Sequence, residues 1–201
     1  MSRHIFRTLF ILLASTAIAT SSTNAYFTDA DTTISDTFTA NWHIPTARVV
    51  INEVYYLGNE EWIELYNAGD AVADIKGWTI CDSDGNCGSL NPAKKTELAP
   101  GAFVLVAHDD AILKDWNVKK DIASINYAGA KIDFDDAGDA VILKNTEASI
   151  VDQMSYGTNT IAFTPSCPTV AKGYTLQRTV NGADTDLAID FMTQQAPTLG
   201  F

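Results

Sequence analysis

The fold is decided by residues 49–67, in which two strand-like runs flank a turn. The runs are Val49-Val50-Ile51-Asn52-Glu53-Val54-Tyr55-Tyr56 and Trp62-Ile63-Glu64-Leu65-Tyr66, with Gly58-Asn59 between them. Apolar, aromatic and β-branched residues dominate both runs, as is typical of strands. Glycine and asparagine favour a reversal of the chain. This stretch therefore predicts two neighbouring strands joined by a turn.

Further short strands are predicted along the chain, separated by turn residues such as Leu98-Ala99-Pro100-Gly101. They are expected at residues 75–80, 103–107, 138–144, 150–156 and 173–178, and a helical turn is expected over residues 111–120. Short strands at this spacing indicate a β-sandwich rather than a helical or βαβ fold. The predicted core contains Trp62, Trp78, Phe103, Leu105, Val141 and Leu176, and Arg178 is expected to pair with an acidic neighbour.

These strand and turn motifs, in the order in which they occur along the chain, resemble those of the lamin tail domain family, an immunoglobulin-like module. The matching segments are Ile51–Val54, Trp62–Asn67, Ile75–Ile80, Leu98–Val106 and Gly138–Leu143. The closing motifs of bacterial members also have counterparts here, namely Leu176-Gln177-Arg178, Asp184-Thr185-Asp186, Asp190-Phe191 and Pro197-Thr198-Leu199-Gly200. The resemblance implies an all-β, immunoglobulin-like antiparallel β-sandwich over residues 49–201, which acts as an interaction module without a catalytic centre.

The first 25 residues have the pattern of a signal peptide. Arg3, His4 and Arg7 form a basic start, Leu9–Ala19 is almost wholly apolar, and Thr23-Asn24-Ala25 has the small-x-small pattern of a cleavage site. The apolar run is shorter than the about 20 residues that a transmembrane helix needs. We therefore expect cleavage near Ala25 and export to the cell surface or the exterior, with an uncleaved signal anchor as the alternative.

The chain is strongly acidic, with 13 Lys and Arg residues against 25 Asp and Glu residues. Removal of residues 1–25 takes away Arg3 and Arg7, so 11 basic and 25 acidic residues remain and the net charge becomes −14. Such a chain repels phosphate backbones, and nucleic-acid binding is disfavoured. The expected partner is a protein or a polymer of the cell envelope or of the extracellular space.

Residues 26–48 are predicted to be a lead-in segment before the sandwich. Tyr26-Phe27-Thr28-Asp29 and Asp36-Thr37-Phe38-Thr39-Ala40-Asn41-Trp42 are similar to the mature start of camelysin/TasA-type exported proteins, which build matrix fibres. Asp36 and Asn41 replace the usual Asn and Gly of that family. The resemblance implies a link to such fibres. A structural component of fibres, a homo-oligomer in which residues 26–47 add a strand to the next copy, is therefore an alternative to the interaction module. A lead-in without this role is the alternative.

Three cysteines fit an oxidising compartment. Cys81 and Cys87 flank the turn Asp82-Ser83-Asp84-Gly85-Asn86, and a hairpin at that turn predicts a disulfide between them. Cys167 is then unpaired, unless it takes one of the other two. A zinc site lacks a fourth ligand at recognisable spacing, and a thiol nucleophile lacks a nearby histidine.

No catalytic motif accompanies the ionisable residues. His43 lies in the lead-in and His108 follows a predicted strand, but there is no G-x-S-x-G elbow, H-E-x-x-H helix or phosphate-binding glycine loop. Glu53 and Glu64 lie within predicted strands, where a buried carboxylate is expected to accept hydrogen bonds from loop backbone rather than to act as an acid–base pair. The sequence thus predicts a non-catalytic binding or adhesion module without a cofactor. A small secreted hydrolase that uses His108 is the alternative.

Calcium is the ligand that the acidic loops suggest. Asp82-Ser83-Asp84-Gly85-Asn86 resembles the opening of an EF-hand loop, but Cys87 stands where that loop needs glycine and Ala93 where it needs glutamate. An EF-hand is therefore rejected. The candidates for calcium ligands are Asp82, Asp84, Asp184 and Asp186.

Overall fold

The structure is a computed structural model that describes residues 43–58, 60–90, 96–109, 116, 123–128 and 131–200. The predicted signal peptide (1–25), the lead-in up to residue 42 and the predicted helical turn (111–120), Trp116 apart, lie outside these residues. Within the described residues, no helix has the length and apolar character that crossing a bilayer requires.

The described residues form twelve strands and one turn of 3-10 helix. The strands are β1 (Val49–Tyr55), β2 (Trp62–Asn67), β3 (Ala73–Asp74), β4 (Thr79–Cys81), β5 (Cys87–Leu90), β6 (Glu97–Leu98), β7 (Phe103–Ala107), β8 (Ala123–Ala128), β9 (Ala140–Lys144), β10 (Ile150–Ser155), β11 (Thr175–Arg178) and β12 (Phe191–Gln194). The 3-10 helix, Ala188–Asp190, lies directly before β12. The strand pairs predicted around residues 49–67 and 138–156 are confirmed.

Two layers of sheet face each other across the core. One layer has the order β12-β11-β1-β2-β7-β8 and the other has the order β8-β5-β4-β9-β10, so β8 belongs to both. Neighbouring strands are antiparallel, except that β7 and β8 run parallel. Val54 and Leu65 from the first layer share one buried cluster with Val141 and Met154 from the second. The predicted immunoglobulin-like β-sandwich is therefore confirmed.

Most of the predicted core is buried as expected. Trp62, Leu105, Val141 and Leu176 are each at most 1% exposed. Trp78 is only partly buried, although it packs against the main cluster. Phe103 is also partly buried, because its ring lies on the outer face of the first layer, 4.6 Å from the ring of Tyr66.

The strand predicted over residues 75–80 is interrupted by a turn. The N–H of Trp78 donates to the carbonyl of Ile75 at 3.2 Å, and Gly77 adopts a φ of 73°. A residue in this left-handed region cannot continue a strand. As a result, β3 pairs with β6 in a separate ribbon, whereas β4 joins the second layer.

The predicted disulfide is confirmed. Cys81 and Cys87 lie opposite each other in the β4–β5 hairpin, with 4.1 Å between their Cα atoms, and their sulfurs are bonded. Cys167 is free and buried. Burial raises the pKa of the Cys167 thiol to about 12. Because the thiolate is the reactive form, this thiol is inert near neutral pH.

Candidate functional site

Two glutamates lie opposite each other on the outer face of the first layer. Glu53 on β1 pairs with Glu64 on β2 in the register of the two strands. Both side chains are fully buried. A β-bulge between Ile51 and Glu53 gives β1 one extra residue at this point, and bulges re-aim the side chains beside them. These are the two carboxylates that the sequence offered as an alternative acid–base pair.

A short segment near the C-terminus covers the two glutamates. Residues 197–200 are called the C-terminal strap below. The N–H of Thr198 donates to Oε2 of Glu53 at 3.1 Å, and the N–H of Gly200 donates to Oε2 of Glu64 at 2.6 Å. The other oxygen of Glu53 accepts from the hydroxyl of Thr175 at 2.5 Å. These contacts are of the predicted kind, in which a buried carboxylate accepts hydrogen bonds from loop backbone.

Leu199 holds the strap on the apolar part of the same face. Its side chain is 1% exposed and packs in a cluster with Tyr55, Trp62, Leu105 and Ala107. The rings of Tyr55 and Trp62 are stacked, with 6.2 Å between their centroids. The strap is therefore held by hydrogen bonds at Thr198 and Gly200 and by an apolar side chain between them.

Burial makes the ionised form of both glutamates unfavourable. It raises the pKa of Glu53 above its ordinary value. It also raises the pKa of Glu64 to about 7; the hydrogen bonds from Asn52 and Gly200 oppose this effect, and the charge of Glu53 adds to it. None of the ion pairs among the described residues includes either glutamate. The ionised form of both carboxyls is therefore disfavoured where they lie, and the strap shields the pair from solvent.

A second buried polar cluster surrounds Arg178, at the end of β11. The guanidinium is fully buried and lies 2.9 Å from Asp152, 3.2 Å from Asp184 and 3.5 Å from Asp190. It also donates to the carbonyl of Ile51 at 2.8 Å. The expected pairing of Arg178 with an acidic neighbour is confirmed. Of the four closing motifs named in the sequence, one contains Arg178 and two contribute its partners Asp184 and Asp190. The fourth motif, residues 197–200, is the C-terminal strap.

An acidic cleft of about 620 Å³ lies among the loops next to β9. Its lining includes Asp84, Asp133, Asp135, Asp136 and Asp139. Asp139 is buried, and its carboxylate accepts the N–H groups of Ser83 at 3.0 Å, Asp135 at 3.1 Å and Ala140 at 2.7 Å. This carboxylate therefore organises the loops of the cleft.

The four calcium candidates fall into two separate loops. Asp82 is buried and accepts from the N–H and the side-chain amide of Asn86 at 2.8 and 2.7 Å, while Asp84 lines the acidic cleft. Asp184 forms the ion pair described above, and Asp186 is exposed. Within the described ranges, no three His, Cys, Asp or Glu side chains are arranged to hold a metal ion.

The histidines lie in different surroundings. His43 is exposed, and its ring contacts the carboxylate of Asp70. His108, directly after β7, is half-buried with its ring 5.3 Å from that of Tyr127. Among the residues that the structure describes, neither histidine forms a hydrogen bond with a serine, threonine or cysteine. The arrangement that activates a hydroxyl or thiol nucleophile is therefore not formed there.

Sequence reasoning missed two polar residues that complete these clusters. Asn52 donates to Glu64 at 2.9 Å and accepts from the N–H of Gly182 at 3.3 Å. Asp152 accepts from the N–H of Ile51 at 2.6 Å as well as from Arg178. The sequence signal that could have identified both residues is the position of a polar side chain within a strand sequence that is otherwise apolar. Such a residue is compatible with burial only when its polar atoms are hydrogen-bonded.

Comparison with known proteins identifies a family. A family model described as Lamin Tail Domain matches residues 44–158, which is more than half of the 201 residues. The match includes β1 to β10 and ends before β11, β12 and the strap. No curated protein sequence matches the chain. The resemblance drawn from the motifs is thereby confirmed.

Proposed function

Since the chain belongs to the lamin tail domain family, an immunoglobulin-like non-enzymatic module, we propose that it is an exported binding or adhesion module. It acts at the cell surface or outside the cell, and its partner is a protein or a polymer of the envelope or of the extracellular space. The Cys81–Cys87 disulfide supports export, because such bonds persist in oxidising compartments. N-terminal sequencing of the exported protein tests this part, and we expect Tyr26 as the first residue.

The non-catalytic role is supported mainly by the way in which the C-terminal strap covers Glu53 and Glu64. A glutamate pair that worked on a substrate would need an open face on which to receive it. Here the strap occupies that face, and its N–H groups hold one oxygen of each carboxylate. The pair therefore serves to fix the strap.

An uncharged apolar edge is the surface best suited to a partner. Leu187, Ile189 and Met192 are 53%, 78% and 45% exposed, and they lie in β12 or directly before it. In the described part of the chain, β12 is the end strand of its layer. Asp190, the one ionisable residue in 187–194, is buried. Natural edge strands usually carry charged residues or proline, which prevent pairing with other chains. An edge strand that exposes apolar side chains and no charge, on a protein that is otherwise strongly acidic, therefore supports the assignment of this edge as a contact surface.

Binding is tested by a pull-down from envelope fractions with residues 26–201 as bait. We expect the wild type to retain a specific partner and Ile189→Lys to lose it. Val72→Lys is the matched control, because Val72 is an apolar residue of similar exposure, 57%, before β3. Equal capture by both variants and the wild type would contradict the assignment of this edge.

A second candidate function is that of a structural component of extracellular fibres. The uncovered edge of β12 among the described residues favours it, because such an edge accepts an added strand. In this reading residues 26–47 supply the strand to the next copy. Deletion of residues 26–47 should then abolish fibre assembly, whereas a plain binder stays monomeric with or without them. Electron microscopy and light scattering of both proteins distinguish the two functions.

The hydrolase alternative is tested on purified protein with a panel of ester, peptide and glycoside substrates. We expect no turnover. An activity that is present in the wild type and lost in His108→Ala would contradict the proposed function.

A further inference from the structure

The C-terminal strap is held by groups whose charge depends on pH. Glu53 and Glu64 face each other on adjacent strands, both are fully buried, and each accepts an N–H of the strap. Two carboxylates that share a buried site cannot both ionise easily. We propose that the strap is a pH-dependent latch, which tightens when the Glu53–Glu64 pair takes up a proton and loosens when both carboxylates are ionised. This inference does not depend on the proposed binding function.

Opening the strap would return water to the pair. In the closed state the strap supplies one N–H to each carboxylate and keeps solvent out. In the open state both carboxylates gain water, which solvates their charges and weakens their mutual repulsion. The open state therefore favours the ionised pair and the closed state favours the protonated pair. This difference between the two states makes their equilibrium sensitive to pH.

Among the described residues that contact the Glu53–Glu64 pair, none has a side chain that changes charge between pH 4.5 and 8. The pH dependence of the strap therefore comes from the two carboxyls themselves. The neighbouring elements present Asn52, Leu105, Thr175, Gln177, Thr198 and Gly200 to the pair, and none of these side chains ionises. Tyr55 lies two residues after Glu53 on β1. Burial raises the pKa of this phenol above its ordinary value, so Tyr55 changes charge outside the range in which the carboxyls do.

The magnitude follows from the change in Glu64 between the two states. In the closed state burial raises the pKa of Glu64 from 4.5 to about 7. Because this value is raised, the latch is tightest below pH 4.5 and loosens as the pH rises towards 7. If the carboxyl regains its ordinary pKa on opening, the ratio of open to closed strap increases by about 80-fold between pH 4.5 and 7, and by about 300-fold between the fully protonated and the fully ionised limits.

The test is amide hydrogen exchange at Gly200, measured by NMR on residues 26–201 between pH 4.5 and 8 and corrected for the intrinsic pH dependence of exchange. In the wild type we expect the protection of this N–H to fall by about 100-fold or more as the pH rises. Glu64→Gln should flatten the pH dependence. Glu97→Gln, at an exposed glutamate on β6, is the matched control and should behave like the wild type.

Two further readouts keep the test decisive if Glu64→Gln fails to fold. Leu199→Ala loosens the strap without touching a carboxyl, and it should reduce Gly200 protection at every pH and move the Glu64 midpoint towards 4.5. The ¹³C resonance of the Glu64 carboxyl in the wild type should titrate near pH 7. Gly200 protection that does not change between pH 5 and 8, or a wild-type Glu64 midpoint at its ordinary value, would overturn the proposal.

Discussion

Replacement of Arg178 by methionine is expected to destabilise the sandwich strongly. Methionine keeps the apolar stem but removes the guanidinium, so the carbonyl of Ile51 loses a donor and Asp152 loses its cation. The side chain of Asp152 is only 2% exposed, so water cannot replace that cation. Removing one partner of a buried ion pair costs about 3–5 kcal/mol, and we expect this loss in the free energy of unfolding.

The dependence on pH separates this mechanism from a loss of packing. Burial raises the pKa of Asp152 to about 6 in the wild type, although the charge of Arg178 opposes the shift. Without Arg178 the pKa of Asp152 must rise further. A carboxyl with a raised pKa in the folded state favours folding at low pH, and this contribution is lost as the pH rises. The variant should therefore recover part of its stability at pH 5 relative to pH 8, and adding Asp152→Asn should recover part of it at pH 8.

Urea unfolding followed by tryptophan fluorescence at pH 5 and 8 measures these changes. Arg48→Met is the matched control, because Arg48 is exposed and its guanidinium donates one hydrogen bond, to the carbonyl of Gly182 at 2.7 Å. Its expected cost is about 1 kcal/mol or less. If Arg178→Met costs no more than the control, or if its cost is the same at pH 5 and 8, the reasoning about a stranded Asp152 is refuted.

Three further predictions concern the second layer and its loops. Replacing both Cys81 and Cys87 by serine should lower the free energy of unfolding by about 2 kcal/mol, the chain-entropy value for so small a loop; an unchanged melting temperature would contradict it. Cys167, with its pKa raised by burial to about 12, should not react with a thiol reagent at pH 8 until urea unfolds the protein, and fast labelling of the native protein would show that the site is open. Gly88→Ala should cost about 1–3 kcal/mol, because a Cβ there would lie 2.1 Å from Cδ2 of Tyr127; Ser89→Ala is the control, and equal stability of the two variants would contradict the close approach.

Most of the strands that the sequence predicted correctly have a dense local pattern. β1, β2, β7, β9 and β10 each contain a run of aliphatic or aromatic residues that is readable without knowledge of the partner strand, whereas β11, predicted over residues 173–178, has no such run. β12 was missed because Phe191-Met192-Thr193-Gln194 is short and becomes a strand only through its pairing with β11. The turn at Gly77 was missed because Trp78 and Ile80 read as a continuation of Ile75. In these places tertiary pairing decides the local structure.

The sequence predicted that the glutamates of the candidate site accept hydrogen bonds, but not which residues donate them. A glutamate within an apolar strand must be hydrogen-bonded if it is buried, and this much could be derived for Glu53 and Glu64. The donor at Glu53, however, is the N–H of Thr198, 145 residues further along the chain. No local pattern reports a contact of that separation. The same limit applies to Arg178, whose need for an acid was predicted but whose closest partner, Asp152, was not.

The separation between the strap and the strands beneath it has a consequence for synthesis on the ribosome. Chains emerge from the N-terminus, so β1 and β2 are complete long before residues 197–200 leave the exit tunnel. Until then Tyr55, Trp62 and Leu105 lack the leucine that packs with them in the finished structure. A chain truncated before residue 197 therefore lacks both the leucine that covers these side chains and the two N–H donors of the glutamates, and apolar surface left exposed in this way makes a chain prone to aggregation.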